Sequence, residues 1–515
     1  MKTVTIMPEK LNIPVEEGAS LLQAAAMADI DIDGSCGGRG VCGKCRVRVD
    51  DGGGPREVLA CTYKVTTDVT VWPEKRNDHT HRKSQVRLPE WFTPDRKLAE
   101  RHRRSGRPLG AAVDIGTTTM VIMLLDIAEG KLLGVKSANN PQGVYGADVI
   151  SRITFADEDP QNIIILRDKA VGCINDALSG LLAEAGRRSE EIGRFAVVGN
   201  TTMSHLFTGT DPRSLAVLPF EPVFTEGRSF AAGDIGLKPA EAQVNLLPNI
   251  AGHVGSDITA GMLTCDFLKD GGPNLYVDIG TNGEIGLFCG GELTVCSTAA
   301  GPAFEGSRIS CGMRAGTGAI EKAVLTEEGM DITVIGGSEP TGICGSGIID
   351  VVYELIRGGY INEKGRLISE GEGRERFFTI WHGREGRRDI AVTQNDIREI
   401  QLAKGAIAAG IEILLARAGI TARDLKAIYI AGAFGSYIDL KKAMGIGLIP
   451  ETDPDVPRSI GNAAGTGACM GLLSDSFLQE AENVRKNARH VELSTDPGFM
   501  QTYSACMRFK AITDI

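Results

Sequence analysis

Four cysteines near the start of the 515-residue chain are spaced Cys36-x5-Cys42-x2-Cys45-x15-Cys61. Thiolates hold iron–sulfur clusters, and four of them suffice for a [2Fe–2S] centre. The stretch Cys36-Gly37-Gly38-Arg39-Gly40-Val41-Cys42-Gly43-Lys44-Cys45 puts three thiolates on one tight loop. Its glycines permit positive φ and let backbone N–H groups point at sulfur. A zinc site would more often show two Cys-x2-Cys pairs, or Cys paired with His. Only one Cys-x2-Cys pair occurs here, so Cys36, Cys42, Cys45 and Cys61 are assigned to a [2Fe–2S] cluster, with structural zinc and unligated core thiols as the alternatives.

A second chemistry is written twice further on. Asp114-Ile115-Gly116-Thr117-Thr118-Thr119 follows one apolar strand and leads into another, Met120 to Leu125. Such a hairpin turn offers N–H and O–H groups to phosphate oxygens. Asp278-Ile279-Gly280-Thr281-Asn282-Gly283 repeats the arrangement. Two such turns facing one cleft would clamp the phosphates of ATP, and Asp114 and Asp278 would hold Mg²⁺ through water or orient an attacking water. Tyr429 to Gly435 reads as a strand ending in small residues, where adenosine lies against Gly432, Ala433, Phe434 and Gly435. No Gly-x4-Gly-Lys-Ser/Thr occurs, which excludes a P-loop.

The elements that position these groups follow from period and repeat. Residues 1–72 read as a small domain: a strand at Val4–Ile6, a helix from Ser20 to Ala28, then alternating strands at Val47/Val49 and Val69/Val71. The segment 73–109 reads as a basic, flexible linker. From Pro73 to Gly110 there are eleven Lys/Arg against five Asp/Glu, on a chain whose net charge is -11. From residue 110 the chain is duplicated. Ala112 to Thr117 recurs as Tyr276 to Thr281, an offset of 164; Leu181 to Gly186 recurs as Leu414 to Gly419, an offset of 233. Lobe I is expected at 110–250 and lobe II at 251–515, the latter with an insertion of about 69 residues within 290–395.

Bulk properties restrict the partners. An acidic chain is a poor nucleic-acid binder. No apolar run reaches the roughly 18 residues that span a bilayer, and the start MKTVTIMPEK lacks a secretory h-region. The other eight cysteines (Cys173, Cys265, Cys289, Cys296, Cys311, Cys344, Cys469, Cys506) read as buried small side chains in a reducing cytoplasm. His205 and His253 read as packed, hydrogen-bonding histidines. Asp257 is a weaker cleft candidate, equally readable as a helix cap.

The cysteine loop is similar to adrenodoxin-like ferredoxins, with a β-grasp order and a short gap before Cys61. The two Asp-Ile-Gly-Thr turns and Ala431-Gly432-Ala433-Phe434-Gly435 resemble the acetate and sugar kinase, heat-shock chaperone and actin superfamily. Further stretches narrow the likeness: Asn140-Pro141-Gln142, Tyr145 to Arg152, Val198 to Met203, Gly301 to Gly306, Gly342 to Gly347 and Gly461 to Gly465. With the cysteines, they resemble reductive activators of corrinoid-dependent methyltransferases and corrinoid proteins, over nearly the whole chain. The resemblance implies an α/β fold: a β-grasp [2Fe–2S] ferredoxin domain followed by a duplicated actin-like (ribonuclease H-like) two-lobed ATPase domain. It adds Gly345, Ser346 and Gly347 to the nucleotide residues. It also implies an anaerobic, ATP-hydrolysing electron injector acting on a Co(II) corrinoid protein or methyltransferase, an upstream low-potential donor, and a homodimer. Larger relatives carry a middle domain that here is replaced by the linker. An activator of a radical dehydratase type, a small-molecule kinase with an accessory cluster (Asp278 or Glu284 as base) and a nucleotide-gated redox sensor are the other readings.

Overall fold

The protein is described as a computed structural model over residues 1–515, except residues 9, 28–29, 31, 33–39, 41–44, 74–85, 270, 369–372, 385–387, 433–436 and 513–515. The first unit is β1 (Lys2–Ile6), β2 (Leu11–Val15), α1 (Leu21–Met27), β3 (Arg46–Asp50), β4 (Arg56–Leu59) and β5 (Val69–Pro73). Its sheet runs β2-β1-β5-β3-β4. Alternation places Val47, Val49, Val69 and Val71 on the inner face, where Leu21, Leu22, Ala24 and Ala25 of α1 cover them.

Next comes α2 (Arg96–Arg104), which corrects the expectation of a flexible linker across 73–109. Asp95 caps α2 by accepting from Lys97 N–H at 2.9 Å and Leu98 N–H at 3.3 Å. Val86 and Leu98 are buried in an apolar cluster with Ile127, Leu472 and Leu473, and Asp95 N–H donates to Leu473 O at 2.9 Å. The charge count hid an amphipathic helix: Leu98 and His102, four apart, face inward while the arginines face water.

Lobe I contains β6 (Leu109–Ile115), β7 (Thr119–Asp126), β8 (Lys131–Asn139), α3 (Val149–Glu158), α4 (Pro160–Ala185), β9 (Ile192–Gly199), α5 (Thr201–Thr208), β10 (Arg228–Ala231), β11 (Gln243–Leu246) and α6 (Ser256–Met262). Lobe II follows with β12 (Asn274–Ile279), β13 (Gly283–Cys289) and β14 (Glu292–Thr298). Then come β15 (Ala319–Thr326), β16 (Gly329–Val334), β17 (Gly342–Ile343), α7 (Gly345–Arg357), β18 (Phe377–Trp381) and β19 (Ile390–Thr393). The chain closes with α8 (Gln394–Ala418), β20 (Ala427–Ala431), α9 (Leu440–Gly445), β21 (Pro457–Gly461), α10 (Ala463–Leu473), α11 (Asp475–Asn487), β22 (Ala488–His490) and α12 (Phe499–Cys506).

The sheets run β10-β11-β9-β6-β7-β8 and β21-β20-β12-β13-β14-β22, so the two lobes share one strand plan. The two Leu-Leu-Ala-x-Ala-Gly landmarks are the ends of α4 and α8, each closed by a left-handed glycine, Gly186 and Gly419. The sheet β16-β15-β17, helix α7 and hairpin β18–β19 lie between β14 and α8, in the stretch where the offset changes.

The helices that join the lobes are exchanged. Ile258 and Met262 of α6 pack with Tyr276, Val295 and Tyr429 of the lobe II sheet. Ala468, Cys469 and Leu472 of α10 pack with Ala112, Met123 and Val198 of the lobe I sheet. The expected boundaries, with all of 251–515 in lobe II, are corrected accordingly: α10 belongs by packing to lobe I. The helices cross on small residues. A Cβ on Gly467 would lie 2.7 Å from Ala260 Cβ, so only glycine allows this approach. Among the described residues no helix is long and apolar enough to cross a membrane.

Candidate functional site

The two turns meet across a cavity of about 320 Å³ between the lobes. Asp114, Gly116, Thr117, Thr118 and Thr119 line it from lobe I, and Asp278, Gly280, Thr281 and Asn282 from lobe II. Gly345, Ser346 and Gly432 also line it. Gly347 does not: it packs on β15, where a Cβ would lie 2.1 Å from Ile320 O. Ala433, Phe434 and Gly435 lie outside the described residues. Gly432, at φ 95°, comes so close to the second turn that a Cβ would lie 2.9 Å from Asp278 Oδ1.

The first turn is held by its own lobe. Asn140 Nδ2 donates to Gly116 O at 2.9 Å, and Asn140 N–H to Thr118 O at 2.9 Å. Asn200 Nδ2 donates to Thr117 Oγ1 at 2.9 Å. Buried Arg152 donates to Thr117 O, to Gly146 O at 2.9 Å and to Gln142 Oε1 at 3.0 Å. Its burial pulls the guanidinium down to about 9. The second turn has backbone ties, Gly280 N–H to Asn282 O at 3.0 Å and Gly301 N–H to Thr281 O at 2.9 Å.

Three half-buried carboxyl groups, Asp114, Asp257 and Asp278, and the buried Glu284 line the cleft together. Burial first, then the charges of Asp257 and Asp278, push Asp114 up to about 8, against a hydrogen bond from Asn462. Burial and Asp257 raise Asp278 to about 7. Burial raises Asp257 to about 6, and Glu284 lies well above the carboxylate range for the same reason with Asp257 and Asp278 adding to it. Asp257 sits in the first turn of α6, whose N-cap is Gly255, so it faces the cleft and is not the cap. Among the described residues no three carboxylate, imidazole or thiol groups sit close enough to hold one metal ion directly. The Asp114 and Asp278 carboxyl groups that line the cleft are the kind of one- or two-carboxylate donor set that a hydrated Mg²⁺ prefers.

Sequence reasoning missed Asn200, Asn462 and Glu305 as cleft residues, although each lies in a stretch the resemblance had singled out. Glu305 accepts from Thr118 Oγ1 at 3.1 Å and from Thr281 Oγ1 at 2.5 Å. The histidines stay out of the site. His205 Nδ1 is 2.8 Å from Thr201 O, Nε2 accepts from Val223 N–H at 3.1 Å, and burial lowers the ring to about 4.

In the N-terminal unit, Cys45 precedes β3 and Cys61 follows β4. Both are buried, with sulfurs 3.2 Å apart. Gly40 has φ 73°, and a Cβ there would lie 2.6 Å from Thr62 Cγ2, so Gly40 passes tightly beside the residue that follows Cys61. Cys36 and Cys42 lie outside the described residues. The paired, buried thiols fit two ligands of one cluster.

These features define a class: a ferredoxin-like electron-carrier unit joined to a two-lobed, actin-like cleft with paired Asp-Ile-Gly-Thr turns. Residues 4–66 match the family described as "2Fe-2S iron-sulfur cluster binding domain". Residues 109–270 match "RACo middle region", and 272–514 match "C-terminal domain of RACo the ASKHA domain". The matched middle region coincides with the segment read as lobe I. The chain is 33% identical over 572 residues to "Corrinoid activation enzyme RamQ" of Eubacterium limosum, covering 95% of this chain and 96% of that protein. It is 28% identical over 434 residues, 76% of each chain, to "[Co(II) methylated amine-specific corrinoid protein] reductase" of Methanosarcina barkeri. The solved structure "Reductive activator for corrinoid,iron-sulfur protein" superposes with TM-score 0.74 at 30% identity, covering 99% of this chain and 98% of that one. The chain belongs to the RACo family of reductive activators of corrinoid proteins.

Proposed function

We propose that this protein is an ATP-dependent reductive activator that returns the Co(II) corrinoid of a methyltransferase or corrinoid protein to Co(I). The observation that carries the reading is the union, in one chain matched end to end by such activators, of a buried thiol pair and a cleft with two opposed phosphate turns. Cys36, Cys42, Cys45 and Cys61 would hold a [2Fe–2S] cluster, which supplies a one-electron carrier of low potential, near about -400 mV in plant-type ferredoxins. If the corrinoid lies roughly 100–200 mV lower, each electron costs on the order of 2–5 kcal/mol.

Nucleotide supplies that energy if it favours one conformation of the lobes over another. Thr117, Thr118, Thr119, Thr281 and Asn282 bind phosphate oxygens, and Gly116 and Gly280 let the backbone approach. Asp114 and Asp278, one from each turn, would hold a Mg²⁺ ion through water, which would supply charge neutralisation for the phosphates, and would orient the hydrolytic water. A base titrating near neutral pH suits proton removal from water, and Asp278, at about 7, has that property. The activator takes electrons from an upstream low-potential donor and works in the cytoplasm as a homodimer.

Reduced protein, Mg·ATP and a Co(II) corrinoid protein should together give the Co(I) absorption band, and omission of ATP should remove it. No band, with phosphate passing from ATP to a metabolite, would overturn the proposal.

A further inference from the structure

We infer that Glu305 is a built-in stand-in for phosphate, a carboxylate that ties the two turns together until a nucleotide takes its place. The inference rests on the reading that the cleft binds nucleotide phosphate. Each carboxylate oxygen of Glu305 takes a hydroxyl from a different lobe: Oε2 from Thr118 at 3.1 Å, Oε1 from Thr281 at 2.5 Å. A threonine hydroxyl has one proton to donate. Thr118 and Thr281 therefore give that proton to Glu305 or to a phosphate oxygen, and not to both. An anionic phosphate brought to the same donors also repels the carboxylate. Occupancy by nucleotide and by Glu305 is mutually exclusive at these two hydroxyls.

Glu305 sits at the end of a short 3-10 turn, Pro302–Glu305, closed by Gly306 at φ 75°. The same segment carries Arg314, which donates to Asn139 Oδ1 at the end of β8 in lobe I. Segment 302–315 thus reaches across the cleft at two points although it belongs to the lobe II insertion. Among the described residues lining the cleft, Arg314 is the only cationic side chain. Displacing Glu305 frees one tie of this segment and leaves its cation facing the incoming phosphates. Nucleotide binding is in this way read out as a change in a segment that belongs to neither turn.

The test compares wild type, Glu305→Gln and Glu305→Ala for Mg·ATP affinity and for amide exchange of residues 302–315 with and without nucleotide. Glutamine keeps the shape and guards against misfolding. Removing the competing anion should tighten nucleotide binding about tenfold in both variants, a factor equivalent to about 1.4 kcal/mol. In wild type, Mg·ATP should raise exchange across 302–315; in Glu305→Ala the exchange should be high already and change little. Wild-type binding with both variants within twofold of it, and exchange unmoved by nucleotide, would overturn the stand-in alone. Failure of wild type to bind nucleotide at all would instead remove the reading of the cleft, and this inference with it.

Discussion

The two Asp-Ile-Gly-Thr turns carry nearly the same residues but are supported differently. The turn at Gly116–Thr118 is fixed from below by Asn140, Asn200 and buried Arg152, all within lobe I. The turn at Gly280–Asn282 has backbone ties and one side-chain hydrogen bond, between Asn282 and Glu284, and its threonine hydroxyl, like that of Thr118, goes to Glu305. Duplication preserved the turn residues and let their supports diverge. Three side chains of its own lobe brace the first turn, and one braces the second.

The largest effect is expected at Arg152. Replacing it with Met strands buried carbonyls of Gly146 and Thr117 and the Gln142 amide oxygen. Each stranded buried acceptor costs about 1–3 kcal/mol. Arg152→Met should lower unfolding stability by roughly 3 kcal/mol and weaken nucleotide binding. Thr281→Val, at the second turn, should leave stability within roughly 1 kcal/mol of wild type while still weakening nucleotide. Denaturant unfolding and nucleotide titration of both variants decide the matter. Equal destabilisation would mean the two turns are equally braced.

The carboxyl groups give a pH-dependent version of the same comparison. Asp114, Asp278 and Asp257 have folded-state values raised from 3.8 to about 8, 7 and 6. A carboxyl raised on folding binds more protons in the native state, so stability is fullest below pH 4 for these groups. It falls as pH rises through 6, 7 and 8. Metal-free protein should therefore lose thermal stability across that window, and Mg·ATP should restore more of it at pH 8 than at pH 6. Asp114→Asn should stabilise the metal-free protein at pH 8 by roughly 1–3 kcal/mol, and Asp278→Asn by less, while both abolish ATP hydrolysis. Melting curves at three pH values check this; a metal-free protein more stable at pH 8 than at pH 6 would refute it.

Much of this was legible in sequence because it is local. Thiol spacing, the alternation of Val47/Val49 and Val69/Val71, and two Asp-Ile-Gly-Thr turns each depend on neighbours within a few residues. What was not legible depends on returns of the chain from afar. Glu305 reaches Thr118 across 187 positions, and Arg194 pairs with Asp475 across 281. No period in the sequence announces that α10 crosses to lobe I, since its residues are buried on all sides and its apolar pattern has no face. The linker erred for the opposite reason. Its charge was averaged over a span in which one short amphipathic helix sits, and the average concealed Leu98.

That docked helix supplies the smallest predicted effect and a check on where lobe I draws its bracing. Arg101 of α2 lies 3.5 Å from Asp475 of α11, and both side chains are well exposed, at 60% and 45%. A solvated pair of this kind contributes little, because water screens it and two long side chains lose freedom in forming it. Asp475 is also held at 2.6 Å by Arg194, whose side chain is only 2% exposed. Arg101→Ala should therefore change stability by no more than about 0.5 kcal/mol. Leu98→Ala removes apolar contact with Ile127 and Leu472 and should cost about 2 kcal/mol or more. If unfolding experiments reversed that order, the basic segment would be held to lobe I by charge, and its attachment would weaken with salt. With the order as expected, α2 is an apolar brace on the lobe that carries the more heavily hydrogen-bonded turn, and salt leaves it in place.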